Sequence, residues 1–339
     1  MAKPAKGKAA KKAPPAHRVA DPFEGDEPPG PYLGGRAEQK VNRFPTYFAD
    51  AEATLAEARF VIAGLPYDET VSYRYGTALG PAEIRQASWN IERWNVRNGV
   101  DLGDVPAHDA GDLDLAGLSP EKMFETVKRE TSRLTKGGKF PLFFGGEHST
   151  IPPVVHALKE QHKDLKVLQL DAHLDYRREY HGSRDNHACA MRRIADAVGP
   201  KSIAGIGIRS VEKAEHDAAV ADGFRFWTAY DVHRMGMGRA LHEALDHLGP
   251  GPLYVTLDID GIDPAFAPAT GTPEPFGLTP FDVLMAVTRT AGRMVGFDVN
   301  EVSPAWDFGN TAALAAKVAR EVMGEVWLQQ PRLRAGSGA

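Results

Sequence analysis

The chain has 339 residues, 42% of them hydrophobic and 25% charged, with a formal net charge of −5. That is enough apolar material for a sizeable core and excludes global disorder, while so mild a negative balance leaves no electrostatic footprint for nucleic acid. No apolar run approaches the ~20 residues needed to span a bilayer, the start of the chain has no apolar leader region, and the single cysteine, Cys189, excludes an intrachain disulfide and a zinc-thiolate site; a reducing cytoplasm is the expected setting.

Residues 1–18 are almost entirely Ala, Lys, Gly and Pro, with Lys3, Lys6, Lys8, Lys11 and Lys12. Nothing there can bury apolar surface, so a solvated tail is expected. Residues 19–35 (VADPFEGDEPPGPYLGG) are rich in Pro and Gly and read as an irregular arm. Residues 36–330 are expected to form one domain. From about residue 58, short apolar runs alternate with longer amphipathic segments. The runs 59–65, 140–144, 166–170, 203–208, 252–257 and 294–299 predict strands, and 224–227 predicts a weaker one. Helical periodicity covers 80–95, 119–135, 187–198, 229–247, 279–292 and 310–325. Thr279-Pro280 and Ser119-Pro120 are helix starts, with a hydroxyl at the N-cap and Pro at the first helical position. Alternating strands and helices imply a largely parallel sheet covered on both faces. Ligands of such sheets bind beyond the carboxyl ends of the strands.

Chemistry-bearing residues stand at those ends. Phe143-Phe144 runs into Gly145-Gly146-Glu147-His148, Leu168-Gln169-Leu170 into Asp171-Ala172-His173-Leu174-Asp175, and Val255-Thr256-Leu257 into Asp258-Ile259-Asp260. A lone Asp-x-Asp or Gly-Gly turn is commonplace; three such motifs, each following a predicted strand, are not. Carboxylates brought into contact cannot all stay ionised without a counter-charge. Asp171, Asp175, Asp258 and Asp260 with His148 and His173 therefore predict a metal centre. Four oxygen donors and two imidazoles suit two divalent ions, manganese in preference to zinc, with nickel or cobalt as alternatives.

The segments GGEHS (145–149), DAHLD (171–175) and TLDIDGIDPAFAPATGTPEP (256–275) resemble the three signatures of the ureohydrolase, or arginase/agmatinase, family. SYRYGTALGPAEIR (72–85), GIGIRS (205–210) and DVNEVSP (298–304) add to the resemblance, which spans roughly residues 58–325. It implies a three-layer α/β/α fold with a mainly parallel eight-stranded sheet, and two Mn2+ per subunit. One ion would take His148, Asp171, Asp175 and Asp258, and the other His173, Asp171, Asp258 and Asp260. The implied reaction is hydrolysis of a guanidino C–N bond to urea and an amine. His187 is the candidate proton shuttle, with His181 as its competitor. Glu301 would grip the guanidinium through paired hydrogen bonds, and Asp175 would orient the nucleophile. Thr272 would help position substrate, and Glu274 would face a cationic tail.

Tyr176-Arg177-Arg178-Glu179 follows Asp175 where arginases carry an Asn-Thr-Pro segment. That disfavours arginine and points to agmatine, a step of polyamine biosynthesis. Guanidinobutyrate, guanidinopropionate, guanidine and a formimino compound are the alternatives, as is a non-catalytic binding homologue. Arg177 and Arg178 could instead recognise a carboxylate, or pair with Glu179 or Asp185. A homo-oligomer, trimer or hexamer, is expected by the same resemblance. Tyr75, Leu79, Leu174 and Thr256 depart from the family's usual residues.

Overall fold

The eight parallel strands of the main sheet all end at one edge, and their order puts the motif-bearing ones side by side. A computed structural model describes residues 44–335; the 1–18 tail and the 19–35 arm lie outside the described residues. In chain order the strands are β1 (Phe60–Leu65), β2 (Trp94–Asn95), β3 (Val100–Asp101), β4 (Ala107–Asp112), β5 (Phe140–Gly145), β6 (Lys166–Leu170), β7 (Ile203–Ile208), β8 (Arg225–Thr228), β9 (Leu253–Asp258) and β10 (Met294–Asn300). Eight of them form one parallel sheet in the order β4-β1-β5-β10-β9-β6-β7-β8, and β2 and β3 make a small antiparallel ribbon. β5, β7 and β9 are buried along their whole length. Helices cover both faces of such a sheet, which is why these strands read as unbroken apolar runs.

The helices are α1 (Gly80–Ser88), α2 (Pro120–Leu134), α3 (Ile151–Gln161), α4 (Ala190–Val198), α5 (Lys213–Asp222), α6 (Ala229–Met235), α7 (Met237–Leu248), α8 (Pro280–Thr290), α9 (Asn310–Gln329) and α10 (Pro331–Arg334). Both expected N-caps form: Ser119 Oγ accepts from Lys122 N at 3.5 Å, and Thr279 with Asp282 closes a capping box. Several expectations are corrected. The 80–95 helix stops at Ser88, because residues 94–95 pair with 100–101. The 229–247 helix breaks at Gly236, whose φ of 84° and ψ of 145° lie outside the helical region. Residues 187–189 form a 3-10 turn ahead of α4. α3 carries no period because seven of its eleven residues are buried, and α5 buries only Glu215 and Ala219.

Strand β4 also escaped the sequence pattern, and its partner explains why. Its Ala-His-Asp-Ala-Gly-Asp sequence has no apolar run, because Asp109 and Asp112 receive a buried cation from α1. Arg85 Nε lies 2.7 Å from Asp109 Oδ2 and Arg85 Nη2 3.0 Å from Asp109 Oδ1, a bidentate pair, and Arg85 Nη1 also meets Asp112.

The last two strands position the site. β1, β4 and β5 build one half of the sheet and β6, β7 and β8 the other; β9 and β10 then fill the gap between β5 and β6. Phe144, Val299, Leu257 and Leu170 form one row across the four central strands. The residues one step beyond are Gly145, Asn300, Asp258 and Asp171. The central crevice thus lies where the strand order reverses.

Gly146 is clamped at this edge. Its N–H donates to Leu65 O and its carbonyl accepts from Glu301 N, both at 2.8 Å. A Cβ there would sit 2.1 Å from Tyr67 O and 2.7 Å from Tyr67 N. Gly146→Ala must push two backbone segments apart, and we expect it to cost about 2 kcal/mol or more. The midpoint of urea unfolding reads this; an unchanged midpoint would mean that the clamp is slack.

Candidate metal centre

Four adjacent strand ends deliver the ionisable side chains to one point. Two groups of potential ligand atoms result: His148, Asp171, Asp175 and Asp258 in one, and Asp171, His173 and Asp260 in the other, the atoms of each group lying within 4.8 Å of one another. His148 Nδ1 is 3.0 Å from Asp175 Oδ2, 3.3 Å from Asp171 Oδ2 and 3.5 Å from Asp258 Oδ2. His173 Nδ1 is 3.1 Å from Asp260 Oδ2 and 3.7 Å from Asp171 Oδ1. Asp171 is common to both groups, and Asp258 falls in the first alone.

Neighbouring polar groups hold these side chains in place. Thr256 Oγ1 donates to Asp298 Oδ1 at 2.8 Å, so it can only accept from His148 Nε2, 3.0 Å away. That puts one proton of His148 on Nε2 and leaves Nδ1 facing the three carboxylates, able to ligate a cation once that nitrogen gives up its own proton. Gln169 Nε2 donates to Asp171 Oδ2 at 2.7 Å and to the His173 carbonyl at 3.0 Å. Backbone N–H groups of His173, Asp260 and Ala172 donate to Asp171, Asp258 and Asp260 respectively. None of Gln169, Asp298 and Asn300 was picked out in the sequence. The available signal was a polar residue interrupting an apolar strand, as Gln169 does in KVLQL.

The electrostatics show a site short of positive charge. Burial pushes Asp258 well above the usual carboxylate range, with Asp260 and Asp171 adding to it. Burial and then Asp171 raise Asp175 to about 7. Burial works against charge on both imidazoles, yet the surrounding carboxylates outweigh it. His148 ends well above its ordinary value through Asp171 and Asp175, and His173 rises to about 10 through Asp260 and Asp171. Asp260 is opposed by burial but held down at about 2 by His173. Protons are therefore drawn to the places that cations would take, and a set of four aspartates and two imidazoles fits a pair of divalent ions.

A cavity of about 390 Å³ opens over this cluster. His173, Asp175, Asp258, His187, Thr272 and Glu301 all reach its wall. His187 is held by Thr70 and Ser72, and burial lowers it to about 4. His181, by contrast, is exposed and packs at a tilt against Tyr180, with ring centroids 4.2 Å apart. Glu301 Oε1 accepts from His148 N at 2.8 Å, and burial followed by Glu147 raises its pKa well above normal. Thr272 Oγ1 donates to Asp260 Oδ2 at 3.1 Å, so it orients that carboxylate. Glu274 is not part of the cavity wall; its carbonyl accepts from Arg209 at 2.6 Å. Arg177 pairs with neither Glu179 nor Asp185. It lies 3.3 Å from Glu212 and 3.4 Å from Glu215, with its guanidinium over the Tyr180 ring.

The chain matches the Arginase family over residues 58–324. It is 35% identical to agmatinase of Bacillus anthracis over 280 residues, covering 81% of this chain and 94% of that one. To proclavaminate amidinohydrolase of Streptomyces clavuligerus it is 37% identical, covering 78% of this chain and 86% of that one. Among solved structures, agmatine ureohydrolase of Thermoplasma volcanium matches with a TM-score of 0.79 and 38% identity, covering 84% of this chain and 96% of that one.

The raised groups set a pH dependence of the metal-free chain. His173 at about 10 stands above its unfolded value, so its stabilisation is complete below ~6.5 and lost as pH rises through 10. Asp175 at about 7 acts in the same direction, because the folded state keeps a proton that the unfolded state has released. Chelated protein should melt at progressively lower temperature from pH 6.5 to 10. Manganese-loaded protein should lose that trend, since ions replace the protons. Differential scanning calorimetry with and without chelator tests this; a chelated melting point that climbs across the window contradicts the charge balance.

Proposed function

The chain belongs to the arginase family, and from that premise we propose that it is a binuclear manganese hydrolase converting agmatine to urea and putrescine, a step of polyamine biosynthesis. The observation that carries the reading is the clustering of six buried or half-buried ligand side chains, three of which, His173, Asp175 and Asp258, share one cavity wall with His187 and Glu301. His148, Asp171, Asp175 and Asp258 would hold one ion, and His173, Asp171, Asp258 and Asp260 the other. When bound, such a pair supplies positive charge and a water acidified to near neutrality as the nucleophile.

The remaining work falls to side chains of the chain itself. A guanidinium carbon is a weak electrophile because resonance spreads its charge, so positioning matters as much as nucleophilicity. Glu301 is suited to orient the guanidinium. One of its oxygens is fixed by the His148 N–H, and the other lies against Gly271, 3.2 Å from where a Cβ would project. A planar cation would also favour the ionised form that burial disfavours. His187, neutral at physiological pH, can collect a proton at the site and hand it to the departing amine. Asp175 reaches the same wall and would orient the nucleophile.

The far end of the cavity favours a cationic tail. Arg177 is the cation that could meet a substrate carboxylate, and it is already paired with Glu212 and Glu215. Two acids against one guanidinium leave that wall with more negative than positive charge, which suits the free amine of agmatine better than a guanidino acid. We also read the protein as a cytoplasmic homo-oligomer, trimer or hexamer. Phe276 and Phe281, 73% and 79% exposed, support a surface that a second subunit covers. Among the described residues no helix is long and apolar enough to cross a membrane.

Urea release with manganese from agmatine, arginine, 4-guanidinobutyrate, 3-guanidinopropionate and guanidine tests the substrate. Agmatine should give the highest kcat/KM, and a clear preference for a guanidino acid would overturn the choice. Glu301→Gln keeps the volume and the bond from His148 but removes the charge. It should lower kcat/KM by at least ~100-fold, about 3 kcal/mol, with metal content and melting point nearly unchanged. Near-normal efficiency of this variant would make Glu301 structural.

A further inference from the structure

Thr70, on the loop after β1, touches His187 in two ways and belongs to none of the family motifs noted in the sequence. Its hydroxyl lies 2.6 Å from Glu147 Oε1, 3.0 Å from the His187 backbone nitrogen and 3.2 Å from His187 Nδ1. A hydroxyl has one proton and two lone pairs. The short contact to Glu147 takes the proton, with Thr70 Oγ1 donating to Oε1. Glu147 is held as an acceptor by two further donors, Thr70 N at 2.7 Å to Oε2 and Ser149 Oγ. Both lone pairs of Thr70 Oγ1 are then left to accept, one from the His187 backbone N–H and one from the ring.

We infer that Thr70, polarised by Glu147, is a positioning residue that fixes His187 in the Nδ1–H tautomer and aims its basic Nε2 into the cavity. The inference rests on the proposed role of His187 as the proton shuttle. The other ring nitrogen agrees with it: Nε2 faces Ser72 Oγ at 3.3 Å, and a hydroxyl can donate to it. Ser72, like His187, lines the cavity. A shuttle must present its lone pair to the reacting atoms and have its second nitrogen held, since an imidazole free to choose its tautomer spends part of its time with the wrong nitrogen protonated. Thr70 supplies that hold at Nδ1. The same hydroxyl fixes the backbone of the 187–189 turn, so the ring and its anchor point share one partner. Glu147 thereby gains a use of its own. It sits beside His148 in the sequence, yet it belongs to neither group of potential metal-binding atoms.

Thr70→Val removes the acceptor at constant shape, and Thr70→Ser keeps it. At saturating manganese with agmatine, Thr70→Val should lower kcat about 10- to 100-fold, the usual effect of losing a histidine's orienting partner. KM should stay within about twofold, and Thr70→Ser should recover most of the rate. A kcat of Thr70→Val within about twofold of wild type, or a Thr70→Ser as impaired as Thr70→Val, overturns the inference. The tautomer is read independently in the unmutated full chain, labelled with 15N-histidine, loaded with diamagnetic zinc and assigned by the signal missing in His187→Asn. Nδ1–H at His187 is expected; Nε2–H overturns the inference even if Thr70→Val fails to fold. A His187→Asn enzyme as fast as wild type would instead overturn the shuttle reading, and the NMR result still decides the tautomer.

Discussion

Like charge crowded at the end of four parallel strands is the constraint on which the rest depends. Asp171 and Asp258 are neighbours because Leu170 and Leu257 are paired one step earlier in the ladder. Backbone hydrogen bonding, not side-chain attraction, brings the carboxylates together, and the fold bears the resulting repulsion. The response is visible in two places. Protons settle on His148 and His173, and orienting donors crowd the carboxylates from behind, from Gln169, Thr272 and three backbone N–H groups. Each donor favours an ionised carboxylate, so the surroundings prepare the cluster for cations and make it expensive without them.

Backbone strain is also present at the same edge. Asp175 and Glu301 both adopt left-handed conformations, with φ of 48° and 62°. For a residue with a Cβ this typically costs of order 1–3 kcal/mol. Local bonds hold both in place. The Asp175 carbonyl accepts from Met191 N and Arg192 N at the start of α4, and Glu301 N donates to the Gly146 carbonyl. The reversal of the chain at Asp175 turns its carboxylate back toward His148 instead of continuing away from the sheet. At Glu301 it lets one carboxylate touch the His148 N–H and the Gly271 wall together.

What the sequence disclosed follows from the same geometry. Seven of the eight strands of the large sheet were legible, the inner ones because their burial demands apolar runs and the half-exposed edge strand β8 only as a weaker run, and the clustering residues were legible because each follows such a run directly. β4 was illegible because its burial is compensated by Arg85 instead of by apolar side chains. The supporting residues were illegible for a different reason. Asp298 matters because β10 lies beside β9, and Thr70 matters because the loop after β1 meets the turn before α4. Neither adjacency is local in the chain. Glu274 stands differently, outside the cavity wall. A carboxylate beside a motif invited a role in binding, but the chain there is shaped by Arg209, which gathers the carbonyls of Gly207, Asp260, Gly261, Glu274 and Pro275.

The departures from family usage divide along the same line between fixed and adjustable parts. Thr256 is buried with its hydroxyl between His148 and Asp298, a place where any hydroxyl serves and the extra methyl is packed away. Leu174 is fully buried, and its neighbours on either side, His173 and Asp175, belong to the two groups of potential ligand atoms. Tyr75 engages through its carbonyl, which accepts from Ser303 and Trp306, while its ring is exposed, as is Leu79. The first pair lies inside the molecule and must satisfy the cluster; the second lies on a surface loop whose backbone is tied to the 303–306 segment and whose side chains are free to vary. On the proposed function, substrate choice would be set away from the cluster, by the loop side chains and by the balance of Arg177 against Glu212 and Glu215. Strand register holds the reacting end constant, whereas the tail end is a matter of exposed charge and can change without disturbing the sheet.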